Sequence, residues 1–264
     1  MDEVKTLPDR AVGRVTSRDG TTIAYERYGD GAGPPLVLVS GSLRTAGSER
    51  PLAALLARRF TVVTYDRRGR GGSGDTGPYA VEREIEDLAA VAAEAGSGAA
   101  LYGAGTGGVL ALAAVAAGLS TGPVSVYEPP YSAEAAALHR RAAELLGRGR
   151  PDAALDVFLA ESGVPAGAWP GGVAPAPTLA YDHAVLGDGT VPERSLAGVH
   201  ARVLVVDGGA SPGWARRAAH ALTAALPRAR HRTLTGQTHE AAPHVLAPVL
   251  EEFLVEDREA SEVG

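Results

Sequence analysis

Short apolar runs alternate with amphipathic segments along most of the chain. Leu36 to Val39 are four consecutive apolar residues, the pattern of a strand buried on both faces. Further strands are predicted at 60–65, 99–102, 124–127, 203–206 and 231–234, and helices at 51–59, 79–95, 107–117, 214–226 and 247–255. Residues 12–28 alternate around Asp19 and Gly20, a turn pair typical of a β-hairpin. Strands that alternate with helices predict an α/β fold with a mostly parallel, doubly wound sheet.

The alternation stops in one internal stretch. The segments at 132–146 and 151–159 have helical patterns, and residues 164–177 are rich in proline and glycine. We therefore predict a helical cap at 129–196, inserted into an α/β core formed by residues 1–128 and 197–264. Such a cap would cover the carboxyl ends of the strands, the edge where open α/β sheets bind ligands.

Composition narrows the classes of partner. The 264 residues include no cysteine, which excludes a thiol nucleophile, a disulfide framework and a thiolate metal site. The formal net charge of -6 argues against nucleic acid or an anionic membrane as the main partner. The longest apolar stretch, 109–117, is much shorter than the ~20 residues of a membrane span. We expect a cytoplasmic monomer or homodimer that acts on a small molecule without a metal or other cofactor.

A glycine-rich turn joins the predicted strand at 99–102 to the predicted helix at 107–117. Gly103, Gly105 and Gly107 frame it as in the G-x-S-x-G nucleophile elbow, with Gly105 where serine is expected. Gly108 also completes a G-x-G-x-x-G motif, and Glu128 lies about 20 residues further, where a dinucleotide site has its ribose-binding acid. We favour the elbow over this cofactor interpretation, because the motif follows three strands instead of opening the sheet.

Three other segments resemble the α/β-hydrolase superfamily. Tyr65 to Gly74 looks like the loop after the third core strand, Ser40 to Leu43 is similar to the oxyanion-hole loop, and Leu234 to His239 resembles the loop with the catalytic histidine. The order of elbow, cap and histidine also matches, over nearly the whole chain. The resemblance implies the α/β-hydrolase fold with an inserted helical cap, and a glycine in place of the nucleophilic serine.

The resemblance also implies a catalytic pair. His239 would be the general base. The usual position of the triad acid, after the seventh strand, is occupied by Ser211. Glu128, however, ends the predicted strand at 124–127, where certain haloalkane dehalogenases have their acid. We therefore predict that Glu128 orients His239.

Other residues receive roles in the same way. The implied oxyanion donors are the backbone N–H groups of Thr106 and of Ser42 or Leu43. The residues predicted to line the substrate pocket are Ser211, Trp169, Tyr181 and His183. The loop after the third core strand is expected to be a hydrogen-bonded turn around Asp66, with a solvated face formed by Arg67, Arg68 and Arg70.

Without a side chain at position 105, an acyl-enzyme cannot form there. The remaining groups suit proton abstraction next to a carbonyl, with the enolate oxygen held by backbone donors. We expect a lyase, cyclase or isomerase of a small carbonyl-containing, polyketide-like metabolite. Two alternatives stay open. One is a catalytically dead homologue that binds a ligand or a partner protein. The other is a hydrolase in which His239 activates water, or in which the serine was deliberately replaced.

Overall fold

A computed structural model describes residues 10–162 and 172–262 of the chain. The strands are β1 (Arg10–Thr16), β2 (Thr22–Tyr28), β3 (Pro35–Val39), β4 (Thr61–Tyr65), β5 (Ala100–Ala104), β6 (Val124–Tyr127), β7 (Val203–Gly208) and β8 (Ala229–Leu234). The helices are α1 (Arg50–Leu56), α2 (Val81–Ala95), α3 (Thr106–Ala116), α4 (Ala133–Gly147), α5 (Pro151–Glu161), α6 (Leu179–Leu186), α7 (Glu193–Leu196), α8 (Gly213–Ala225) and α9 (Pro243–Glu262). Short 3₁₀ turns lie at Ala46–Glu49 and Ala176–Thr178.

One eight-stranded sheet contains all these strands, in the order β1-β2-β4-β3-β5-β6-β7-β8. The predicted hairpin is present: β1 and β2 pair antiparallel, with Thr16 opposite Thr22, and β2 pairs antiparallel with β4. Every other neighbouring pair, from β4 through β3 to β8, is parallel. The predicted α/β-hydrolase fold with a mostly parallel sheet is confirmed.

Apolar side chains cover both faces of the central strands, as the continuous runs in the sequence predict. Along β3, Val37 and Val39 belong to the core shared with α2, α3 and α8, whereas Leu36 and Leu38 face the core shared with α1 and α9. Because parallel strands are buried on both faces, their carboxyl ends and the following loops are the parts left to form a site.

The described part of residues 129–196 is helical and contributes no strand to the sheet. Its helices α4, α5 and α6 share a small apolar core that includes Phe158 and Leu179, and Leu43 from the loop after β3 packs into it. The division of the chain into a core and a separate cap stays a prediction. Among the helices of the described residues, none is both long and apolar enough to cross a membrane.

Candidate active site

The turn between β5 and α3 has an unusual backbone. Gly105 lies between Ala104 and Thr106 with φ 53° and ψ −126°. This positive φ is a conformation that glycine adopts at little cost and other residues rarely adopt. A Cβ on Gly105 would lie 3.5 Å from Cε1 and Nε2 of His239, an ordinary van der Waals distance. The space beside Gly105 is therefore open, and the imidazole of His239 faces it.

A carboxylate holds the other nitrogen of this histidine. Nδ1 of His239 lies 2.9 Å from Oε2 of Glu128, and Oε1 of Glu128 accepts a hydrogen bond of 2.8 Å from the Gly208 backbone N–H. The Glu128 side chain is 1% exposed, whereas that of His239 is 48% exposed. The structure thus brings together the two residues predicted as a pair, and it directs them to Gly105.

The charge of Glu128 is supported by its contacts. Burial opposes ionisation of this carboxyl, but His239, the nearby Ser211 hydroxyl and the Gly208 N–H outweigh it, so the pKa of Glu128 is lowered. A carboxylate next to Nδ1 favours the tautomer with its proton on that nitrogen. Nε2, the nitrogen that faces Gly105, is then the free basic site.

Backbone strain marks the same region. Leu43 (φ 62°) and Glu128 (φ 44°) are the non-glycine residues with positive φ within 10–162 and 172–262. Each such conformation costs about 1–3 kcal/mol and persists only where the surrounding structure enforces it, commonly at functional sites. One of the two strained residues is therefore the partner of His239, and the other lies in the segment predicted as the oxyanion-hole loop.

The predicted oxyanion donors are unpaired. In the described ranges, the backbone N–H groups of Ser42, Leu43 and Thr106 donate no hydrogen bond to the protein. The loop after β3 also lies directly against the end of β5, since a Cβ on Gly41 would come within 2.9 Å of the Ala104 carbonyl oxygen. These donors are consequently available beside the turn that contains Gly105.

The arginine-rich loop after β4 differs from the prediction. Asp66 does form the expected hydrogen-bonded turn, accepting from the N–H groups of Ala46 and Gly72 at 2.7 Å each. The predicted solvated face, however, is wrong: the exposed fractions of Arg67, Arg68 and Arg70 are 1%, 0% and 2%. The physical reason is that each guanidinium has carboxylate partners that the local sequence does not contain.

Two of these arginines and two buried carboxylates form a compact group, here called the inner charge cluster: Arg67, Arg70, Glu84 and Asp182. Arg67 makes two hydrogen bonds to Glu84, at 2.7 and 2.8 Å, and one to Asp182 at 2.8 Å. Arg70 reaches both carboxylate oxygens of Asp182, at 2.9 and 2.8 Å. The Thr106 hydroxyl donates to Asp182 at 2.9 Å. The cluster therefore extends from the helix α6 to the first residue of α3.

The four residues predicted to line a pocket have different surroundings. Ser211 is buried close to Glu128, although its hydroxyl makes no hydrogen bond of ordinary geometry. Tyr181 stacks on Tyr79, with ring centroids 3.9 Å apart, and donates to Asp75 at 2.8 Å. His183 has a buried Nδ1 with no partner among the described residues. Trp169 lies outside those residues. Their role in binding stays a prediction.

Sequence reasoning missed Asp182 and Glu84. Asp182 lies on α6, a short helix whose apolar pattern is too weak to predict, and it is separated from Arg67 by 115 positions. The available signal was the density of arginine in the loop after β4, because several buried guanidinium groups require carboxylate partners. The alternative interpretation of Glu128 as a ribose-binding acid is not supported, since both its oxygens are engaged by His239 and Gly208.

Comparisons with known proteins identify the family of the chain. The sequence profile of the alpha/beta hydrolase family matches residues 36–252. An alpha/beta hydrolase from Sphaerobacter thermophilus is 48% identical, with a TM-score of 0.83, covering 91% of this chain and 99% of that one. A hydrolase from Pseudomonas aeruginosa, 24% identical, shares the fold with a TM-score of 0.74 over 92% of this chain and 98% of its own.

A curated relative matches a shorter part of the sequence. The proposed carbamate hydrolase RutD of Azorhizobium caulinodans is 38% identical over 90 residues. This match spans 33% of the chain and also 33% of RutD, a third of the relative's length. The family profile, by contrast, covers most of the chain. The chain therefore belongs to the alpha/beta hydrolase family.

Proposed function

We propose that this protein is an enzyme that moves a proton next to a carbonyl group without forming an acyl-enzyme. One observation carries the proposal: the His239–Glu128 pair is assembled and faces Gly105, which offers no nucleophile. The substrate class is a small carbonyl-containing metabolite, such as a polyketide-like compound. The reaction class is lyase, cyclase or isomerase chemistry.

In the proposed mechanism, the carbonyl oxygen of the substrate accepts hydrogen bonds from the backbone N–H groups of Thr106 and of Ser42 or Leu43. Nε2 of His239 then takes a proton from the adjacent carbon, and the charge of the resulting enolate rests on the oxygen that these donors hold. Glu128 stabilises the imidazolium that forms. Return of the proton to another atom isomerises the substrate, and loss of a leaving group from the neighbouring carbon is elimination. In cyclisation, the carbanion adds to a second carbonyl of the same molecule, and the oxygen of that carbonyl takes the proton from His239.

Water-based hydrolysis is the second candidate function. Gly105 has no side chain beside the imidazole of His239, so a water molecule bound to Nε2 would take the role of the serine oxygen. His239 would take a proton from this water while the water oxygen attacks the carbonyl carbon. The imidazolium would then return the proton to the departing alcohol or amine as the tetrahedral intermediate collapses to the acid. The Sphaerobacter relative is described as a hydrolase and RutD as a proposed carbamate hydrolase, which favours this route over a purely ligand-binding role.

Deuterium exchange distinguishes the two reactions. The protein is incubated in D₂O with a panel of enolisable β-diketones, β-keto esters and lactones, and followed by ¹H NMR. Proton abstraction predicts deuterium at the carbon next to the carbonyl, at a rate that His239→Ala reduces. Cleavage of an ester or lactone with uptake of ¹⁸O from labelled water supports hydrolysis instead. Exchange and cleavage that both equal the buffer control, with and without His239, would refute catalysis.

A nucleophile restored at the turn provides a separate test of the site. The native chain should not react with a fluorophosphonate serine probe. Gly105→Ser adds a Cβ at ordinary contact distance from His239, so its hydroxyl is expected to be activated and to react stoichiometrically. Gly105→Ala has the same Cβ without the oxygen and is the matched control. A folded Gly105→Ser protein that stays unlabelled would count against the assembled site.

A further inference from the structure

The inner charge cluster makes contacts outside its own four side chains. Arg67, Arg70, Glu84 and Asp182 are each at most 2% exposed and contribute two positive and two negative charges. Replacing such buried ions with apolar residues of similar size is often neutral or stabilising, so burial of charge is poor support for a role in stability alone. The contacts that extend beyond the four side chains are the informative ones.

Those outward contacts converge on the backbone beside Gly105. Arg70 donates to the carbonyl oxygen of Gly41 at 2.6 Å, immediately before Ser42 and Leu43. The Thr106 hydroxyl, which donates to Asp182, also lies 3.1 Å from the Ser42 hydroxyl. One carboxylate, that of Asp182, is thus linked through Arg70 to the loop after β3 and through Thr106 to the start of α3.

The strained conformation of Leu43 needs such support. Its φ of 62° is unfavourable for a branched side chain and must be enforced by neighbours. The Arg70 contact fixes the peptide two residues earlier, and the Leu43 side chain packs among α4, α5 and α6. Two contacts therefore hold the loop. Arg70 of the cluster binds its backbone, and the helices α4, α5 and α6 surround the Leu43 side chain.

From this geometry we propose that Asp182 is a positioning residue for the oxyanion hole. Its carboxylate, supplied by α6 of the inserted segment, aligns the N–H groups of Ser42, Leu43 and Thr106 with the oxygen on which negative charge develops. The inference rests on the proposed function, which assigns those donors. It adds that the inserted segment is part of the catalytic geometry and not only a cover over the substrate.

Three variants separate positioning from general stability. Asp182→Asn preserves the shape of the side chain and removes its charge. Thr106→Val removes only the hydroxyl between Asp182 and Ser42, and Thr106→Ser restores a hydroxyl. Thr178→Val is the matched control, because the Thr178 hydroxyl is equally buried and is contacted by Arg70 at 3.2 Å, but on the side of the inserted segment.

The first measurement needs no substrate. Backbone ¹⁵N order parameters are recorded for the amides of Ser42, Leu43 and Thr106 in the otherwise native chain. We expect values typical of rigid backbone, about 0.85, to fall toward 0.6 in Asp182→Asn and Thr106→Val. They should be retained in Thr106→Ser and Thr178→Val. Unchanged order in both Asp182→Asn and Thr106→Val would overturn the proposal. Thr106→Val, an isosteric change, also decides the matter if Asp182→Asn does not fold.

The second measurement uses Gly105→Ser as the background and p-nitrophenyl acetate as the substrate. Loss of one oxyanion donor costs about 10²–10³-fold in kcat, so displaced donors should cost at least about tenfold, with KM unchanged within about twofold. Equal kcat in Thr106→Val and Thr178→Val would also overturn the proposal. If Gly105→Ser itself neither reacts with the probe nor turns over, that result contradicts the proposed function, and the order parameters still judge the positioning role.

Discussion

Two groups of ionisable side chains meet near Gly105, and they are built in opposite ways. In the inner charge cluster every ion is buried and paired, with two arginines balanced by two carboxylates. In the His239–Glu128 pair, only the carboxylate is buried, and nearly half of the imidazole surface is exposed. In the first arrangement, each charge is held by an oppositely charged partner inside the protein. In the second arrangement, Glu128 contacts only one of the two imidazole nitrogens, and the other nitrogen is left for the proposed role as base.

Their positions in the sheet explain the division. Arg67 and Arg70 follow β4, whereas Glu128 follows β6 and His239 follows β8. These strand ends lie on either side of β5, whose own end leads into Gly105. A reacting group placed at this turn would have buried ion pairs on one side and a half-exposed imidazole on the other. The difference between the two groups lies in burial, and our proposals assign positioning to the buried group and proton transfer to the exposed one.

The largest expected effect is on activity, and it tests the proposed role of His239 as general base. In the Gly105→Ser background, His239→Ala should reduce hydrolysis of p-nitrophenyl acetate by about 10²–10⁴-fold, the usual contribution of a general base. His200→Ala is the matched control, since His200 is an exposed histidine just before β7, at the opposite end of the strands. Steady-state kinetics with both variants decide the matter. Equal losses of activity in His239→Ala and His200→Ala would contradict the proposed role of the His239–Glu128 pair.

The next largest effect is on stability, and it tests the inner charge cluster. Asp182→Ala should lower the free energy of unfolding by about 3–5 kcal/mol, because it leaves buried arginines without their partner. Asp156→Ala, at an exposed position of α5, should change it by less than about 0.5 kcal/mol. Urea denaturation followed by circular dichroism measures both. A loss below 1 kcal/mol at Asp182 would mean that the cluster is far more hydrated than its burial indicates.

Glu128→Gln should have a smaller effect than His239→Ala. The ring remains, and what is lost is a hydrogen bond to a charged carboxylate, worth about 1.5–3 kcal/mol or roughly 10- to 100-fold in rate. The assay is again ester hydrolysis in the Gly105→Ser background, with Glu193→Gln as an exposed control on α7. A loss as large as that of His239→Ala would contradict the expectation that the imidazole keeps part of its function as a base without the carboxylate.

The smallest expected effect is on stability in acid, and it depends on the charge of Asp182. Burial opposes ionisation of Asp182, but Arg70 and Arg67 outweigh it, and the pKa of Asp182 falls well below its ordinary value of 3.8. The unfolded chain therefore binds this proton more readily than the native protein does. Its stabilising contribution is complete above about pH 4 and is lost as the pH falls further. Thermal unfolding from pH 5 to pH 2 should show this decline in the native chain, and a weaker one in Asp182→Asn.

The sequence predicts regular elements well where one local pattern decides them. The strand at Val124–Tyr127 has the predicted bounds, and the Asp19–Gly20 turn forms the expected hairpin. The resemblance to the α/β-hydrolase superfamily implies the His239–Glu128 pair, and the structure brings the two side chains to 2.9 Å although 111 positions separate them. The error at Arg67 has a physical cause. Its burial depends on Glu84 and Asp182, which arrive from two different helices, and no local pattern encodes that meeting.

The backbone at Gly105 has a consequence for how such a protein evolves. With φ at 53°, any residue other than glycine at this turn carries strain of about 1–3 kcal/mol. Folding stability alone therefore selects glycine there, and only a reaction that needs a nucleophile can maintain a side chain against that selection. When the reaction no longer depends on a nucleophile, replacing that residue with glycine removes the strain and makes the fold more stable. A protein with this added stability can tolerate destabilising substitutions around the pocket, and such substitutions can produce a new substrate preference.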